Sequence, residues 1–122
     1  MGVVWSAFYL MLDGTSGKWV VTMPAADSNG VTWQPAYTTS LAPLHQWTHL
    51  VAVYDAQTRQ LKLYVNGVLE ATRANVVAWH GNSVFHIGRA KAGNHLGATV
   101  DRVRTWAGAM SDYDIAGLYG EI

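Results

Sequence analysis

The run from Gln60 to Val65 followed by Asn66-Gly67 constrains this chain more than any other stretch. Leu61, Leu63 and Val65 alternate with Lys62, Tyr64 and Asn66, the period-two pattern of a strand with one buried face. Asn-Gly then supplies two residues that tolerate φ > 0, which a two-residue type I′ hairpin requires. Before it, the apolar, β-branched run Thr48–Tyr54 ends in the polar connection Asp55-Ala-Gln-Thr-Arg59; after it, Val68–Thr72 reads as the returning strand. Residues 46–73 therefore predict a three-stranded antiparallel meander, with Leu63 in its core.

The sequence QWTHLVAVYD followed by LKLYVNG, FHIGR at residues 85–89, VDRVRTW at 100–106 and MSDYDI at 110–115 resembles the LamG-like jelly-roll domains of the concanavalin A-like lectin/glucanase superfamily. The resemblance implies an all-β fold, an antiparallel β-sandwich of jelly-roll type with one short C-terminal helix, occupying residues 1–122 as a single domain. Such domains also carry strands ahead of the segment matching Ser6–Leu12, one of them beside the final strand. An unpaired sheet edge follows as an expectation, filled by another copy of the chain or by a strand-completing partner.

The remaining elements follow from local signals. Ser6–Leu12 reads as a strand with Phe8, Leu10 and Leu12 on one face, and Asp13–Gly17 as a turn. Lys18–Met23 is the next strand, and Val31–Tyr37 another, with Pro35 and Pro43 arguing against a central position. Ser83–Arg89 and Thr99–Trp106 read as strands, the latter with Val100, Val103 and Trp106 as its apolar members. Ser111 is a suitable N-cap with Asp114 three residues on, and Ile115, Leu118 and Tyr119 give the following helix one apolar side.

Composition narrows the function classes. Eight basic residues balance eight acidic ones, which gives no basic footprint for nucleic acid. The apolar stretch Val3–Leu12 is too short to span a bilayer and lacks the basic flank of a signal peptide, so no membrane insertion is expected. With no cysteine there is neither a disulfide framework nor a thiolate metal site. By resemblance, such a domain is secreted or at the cell surface.

Catalysis is not expected. Retaining glycoside hydrolysis needs two carboxyl groups about 5–5.5 Å apart, and the two glutamates, Glu70 and Glu121, have no matching carboxylate near them in sequence. Asp112 and Asp114 suit the positive end of a helix better. His45 and His49 sit four apart on an extended run, about 13 Å, too far to share one ion; His49 is expected to hydrogen-bond within the sandwich.

Two candidate sites remain. Calcium is the cofactor the resemblance implies, and Asp13, Asp27, Asn29 and Asp101 supply the oxygen ligands it prefers; Asp101 has the alternative of pairing with Arg102 or Arg104. Among the aromatics, Trp5, Trp19, Trp47 and Trp106 are assigned to the core. Trp33, Tyr37 and Trp79 lie in or beside loops and could stack on sugar rings, joined by Arg89, Asn94 and His95 from a loop that is otherwise simply solvated. The sequence thus predicts a non-catalytic carbohydrate- or protein-binding module. A structural or oligomerisation unit without a small ligand is the alternative, and a divergent hydrolase a distant third.

Overall fold

A computed structural model describes residues 7–81, 85–88 and 97–122. Six strands form two antiparallel three-stranded sheets: β1 (Tyr9–Leu12), β2 (Trp19–Pro24) and β3 (Trp33–Tyr37) in one, β4 (Leu50–Asp55), β5 (Gln60–Val65) and β6 (Val68–Arg73) in the other. Helix α1 (Asp112–Gly120) follows. The predicted β-sandwich with a short C-terminal helix is present.

The central meander forms as its alternation requires. Leu63 pairs with Ala52 on β4 and Ala71 on β6. Leu61 and Leu63 are buried against Val21 and Met23 of β2, Ala36 of β3 and Val76. Asn66 (φ 50°) and Gly67 (φ 80°) both adopt left-handed conformations between the paired residues Val65 and Val68, so the two-residue turn has the I′ form. Asn66 forms a clamp: its side-chain Oδ1 accepts from the His49 backbone N–H at 2.9 Å, while its backbone N–H donates to the His49 carbonyl at 2.8 Å. A Cβ on Gly67 would stand 3.1 Å from Tyr119 Cβ. Gly67→Ala combines that contact with left-handed strain, and is expected to cost about 1–3 kcal/mol, read as a lowered melting temperature.

The segment after β6 closes the sandwich through named hydrogen bonds. Val76 is fully buried, its N–H donates to the Arg59 carbonyl, and its carbonyl accepts from Tyr54 Oη at 2.8 Å. One residue on, Val77 is held by Gln34: the amide Nε2 donates to the Val77 and Met23 carbonyls, and Oε1 accepts from Val77 N–H at 2.8 Å. Gln34 is a buried polar side chain whose acceptor and both amide protons are in use, the condition under which burial of an amide is tolerated.

Several expectations are corrected. Residues 85–88 and 99–106 form no strand. The apolar members of 99–106, Val100, Val103 and Trp106, are spaced by three, so they cannot share one face of a period-two strand; all three are exposed. Trp47 is exposed as well, because β4 begins only at Leu50 and no pleat turns the indole inward. Trp19 does pack on the core; Trp5 lies outside the described residues. Tyr64, on the supposedly polar side of β5, is buried, because α1 covers that side: Tyr64 packs with Val53 and Ile115, flanked by Val51 and Met110. Its hydroxyl donates to Asp112 Oδ1.

Ser111 caps α1 as expected, with Oγ accepting from the Asp114 N–H at 3.2 Å. Pro35 sits on β3, the edge strand of its sheet, where a missing N–H is tolerated.

Candidate functional site

The register of β1–β3 decides what its outward face presents. Val21, Met23 and Ala36 belong to the core, so their neighbours point away from it. Paired residues share a face, and the outward rows across the sheet are Met11–Val20–Tyr37, Tyr9–Thr22–Pro35, and Pro24–Trp33. None of these side chains carries a charge at neutral pH. Trp33 is 38% and Tyr37 46% exposed, while Val20, Thr22 and Pro24 form a buried floor beneath them. The Tyr9 and Trp33 rings meet at 5.7 Å with a 58° tilt, one leaning from β1 and the other from β3.

This face brings together two of the residues expected to bind sugar. Trp33 and Tyr37 lie on one side of β3, four residues or about 13 Å apart. Trp79 is tied to the end of β2, where its Nε1 donates to the Pro24 carbonyl at 2.9 Å. Arg89, Asn94 and His95 lie outside the described residues. Sequence reasoning missed Tyr9, Met11 and Thr22, which join the site only through strand register. Thr22 Oγ1 is buried with no hydrogen-bond partner among the described residues. At the rim, Arg73 Nη1 donates to the Pro35 carbonyl at 3.2 Å and brings a guanidinium to the edge of β3.

The four oxygen-bearing residues named for calcium are placed as follows. Asp13 serves its own turn: its carboxylate accepts from Ser16 Oγ at 2.6 Å and Ser16 N–H at 3.1 Å, and these bonds hold it below its usual pKa. Asp27 and Asn29 lie in the β2–β3 connection, Asp27 half-buried and Asn29 exposed. Asp101 pairs with Arg102 Nε at 3.8 Å, both side chains well exposed, the alternative foreseen for it. Among the described residues, no group of three or more His, Cys, Asp or Glu is placed to hold a metal ion.

His49 hydrogen-bonds to Asn66 through its backbone, and its side chain is placed differently. Its Nδ1 is buried without a partner among the described residues, and its ring stacks on Tyr119 at 5.8 Å. Burial, with a smaller contribution from the Arg104 charge, pushes its pKa below the ordinary 6.5. The unfolded chain therefore takes up this proton at a higher pH than the folded one. Stability from this group is complete above about 6.5 and declines as pH falls below it. The melting temperature is expected to drop between pH 7 and pH 5 more in the wild type than in His49→Phe, which keeps the stack and removes the titration. Equal slopes would show that His49 is not the source.

Two antiparallel three-stranded sheets packed face to face, with one short C-terminal helix, define a protein of the β-sandwich class. The chain belongs to the concanavalin A-like lectin/glucanases superfamily, whose laminin G-type family matches residues 4–116. Human pentraxin-related protein PTX3 is 27% identical over 79 residues, covering 62% of this chain. The chain spans only 21% of that relative's length. Among solved structures, residues 221–444 of an S-layer domain-containing protein from Clostridium thermocellum match 97% of this chain and 64% of that one, with a TM-score of 0.55 at 16% identity. At that identity the match speaks for the fold alone.

Proposed function

We propose that this protein is a non-catalytic binding module of a secreted or cell-surface protein, and that the outward face of β1–β3 contacts carbohydrate. One observation carries the reading: Trp33 and Tyr37 stand exposed on one side of β3, over a neutral floor. Aromatic rings offer apolar faces to the C–H surfaces of a pyranose, and tryptophan and tyrosine keep a polar edge for hydrogen bonds. The Arg73 guanidinium lies at the edge of β3, on the Pro35 carbonyl. The two glutamates stand apart from it, Glu70 on β6 and Glu121 just past α1, in keeping with binding without turnover.

The test is a panel of immobilised oligosaccharides, probed with and without calcium. The wild type is expected to retain at least one neutral sugar, and Trp33→Ala with Tyr37→Ala to lose about tenfold or more in affinity. Both side chains are partly exposed, so the folded state is expected to survive, as checked by circular dichroism. Unchanged binding in the double variant would remove the face from the site, and no binding to any sugar would remove the reading.

A structural or self-associating role is the second reading. It is favoured by the exposed apolar side chains of Val100, Val103 and Trp106 on an irregular segment. Light scattering at two concentrations reads it directly, and a constant monomer mass would reject it.

A further inference from the structure

Asparagine is followed by glycine twice in this chain, at Asn29-Gly30 and at Asn66-Gly67. The pair matters chemically as well as conformationally. The backbone nitrogen that follows an asparagine can attack the side-chain amide carbon, and the approach is easiest where the following residue has no Cβ to obstruct it. Both pairs lie between antiparallel neighbours, and both glycines have positive φ, 69° at Gly30 and 80° at Gly67. Their surroundings are opposite.

Asn66-Gly67 is locked. Asn66 is bonded to His49 through both its Oδ1 and its backbone N–H, and the turn sits directly on the Val65–Val68 pair. Tyr119 of α1 lies against Gly67, so near that a Cβ there would stand 3.1 Å from Tyr119 Cβ. For the Asn66 amide carbon to meet the Gly67 nitrogen, the side chain must leave His49 and the turn must distort against α1. Asn29-Gly30 meets neither obstacle. Both residues are exposed, and a Cβ on Gly30 would meet nothing within 4 Å. Their connection is closed at its base, where the Ala25 N–H donates to the Thr32 carbonyl at 2.9 Å, and residues 26–31 lie beyond that bond. Among the described residues, neither the Asn29 amide nor the Gly30 N–H has a hydrogen-bond partner. Asn75 offers a contrast of another kind: it precedes the β-branched Val76, whose N–H is spent on the Arg59 carbonyl.

We propose that Asn29 is a site of spontaneous covalent modification, deamidation through a cyclic imide to aspartate and isoaspartate, and that the fold shields Asn66 from the same reaction. The Gly30 nitrogen gives its proton to solvent and forms a bond to Asn29 Cγ. The Cγ–Nδ2 bond breaks and ammonia leaves. Water then opens the imide: breaking the new N–Cγ bond leaves aspartate, and breaking the original peptide bond leaves isoaspartate, with the chain running on through Cγ. Nothing is oxidised or reduced, since an amide and water become a carboxylate and ammonium. Either product adds a negative charge at neutral pH to a chain whose eight basic and eight acidic residues balance, so modified molecules separate from the parent by charge. Isoaspartate also lengthens the backbone of the connection that joins the paired residues Pro24 and Trp33.

The experiment incubates the intact folded chain at neutral and at mildly alkaline pH and follows acidic species by ion exchange. Peptide mass spectrometry locates the change, and methyl transfer by a protein isoaspartyl methyltransferase reads the isoaspartate. The expected result is an acidic species that forms faster as pH rises, because the attacking nitrogen must lose its proton, and that maps to Asn29. Asn29→Gln, whose longer side chain closes a ring far more slowly, should remove most of it and melt with the wild type, since the position is exposed. Asn66 should lag Asn29 by about tenfold or more, which is about 1.4 kcal/mol of added barrier, an amount that the two hydrogen bonds to His49 supply. In denaturant the clamp is gone and the two rates should converge. Four results would overturn the proposal: no acidic species, Asn66 keeping pace with Asn29 in the folded chain, an undiminished rate in Asn29→Gln, or a lag of Asn66 that persists in denaturant.

Discussion

Leu63→Asp is expected to unfold the protein or bring it close to unfolding. Leu63 is completely buried between the two sheets, paired with Ala52 and Ala71 and facing Val21, Met23, Ala36 and Val76. A carboxylate placed there finds no cationic partner among these neighbours and no water. The loss of leucine packing adds to that penalty, for a total of roughly 4 kcal/mol or more. Since whole domains are stable by only about 5–15 kcal/mol, a change of this size is visible in a simple melt. Thr72→Asp is the control: Thr72 is exposed and pairs with Lys62 across β5–β6, so an added carboxylate there is expected to shift stability by no more than about 0.5 kcal/mol. If Leu63→Asp melts within a few degrees of the control, β5 faces the other way.

Gln34→Leu comes second in expected effect. The side chains match in size, so packing is largely conserved, but three hydrogen bonds are lost together. The Met23 carbonyl, the Val77 carbonyl and the Val77 N–H each lose the Gln34 amide as a partner. Leaving buried or half-buried backbone groups unsatisfied is expected to cost about 2–4 kcal/mol. The damage should be local as well as global, because Val77 adjoins the buried Val76 that seals the core. Amide exchange at Val77 should accelerate more than at Leu63, which sits in the middle of a ladder. Gln34→Glu provides the complementary result. It replaces the amide donor with an acceptor aimed at two carbonyls, so it should be weaker than Gln34→Leu at neutral pH and recover as acid protonates it. Matching stabilities for all three proteins would mean the amide does not hold the segment.

How legible the fold was depended on which physical signal each residue carried. The β4–β6 meander could be read because alternation, β-branching and Asn66-Gly67 agree on one answer. Ser111 could be read because a side-chain cap is a local device, complete within three residues. Thr99–Trp106 misled because family likeness outweighed the spacing of its apolar residues, a spacing of three that no strand face accommodates. Tyr64 misled for a different reason: what covers it is a helix almost fifty residues later, which no local pattern reports. The candidate site divided the same way. Trp33 and Tyr37 share a face by simple parity along one strand, whereas Tyr9 and Thr22 join them only through pairing between strands. The two rings of Tyr9 and Trp33 meet although their residues are twenty-four positions apart.

Helix α1 lies over the outer side of β4–β6, through Ile115 and Tyr64, and leaves the outer side of β1–β3 to its aromatic rings. A sandwich padded on one side has a front and a back. Whatever grips the helix side holds the protein from behind, with its aromatic surface turned outward. In a row of domains or on a solid support, the side that carries the helix therefore fixes which way the protein looks.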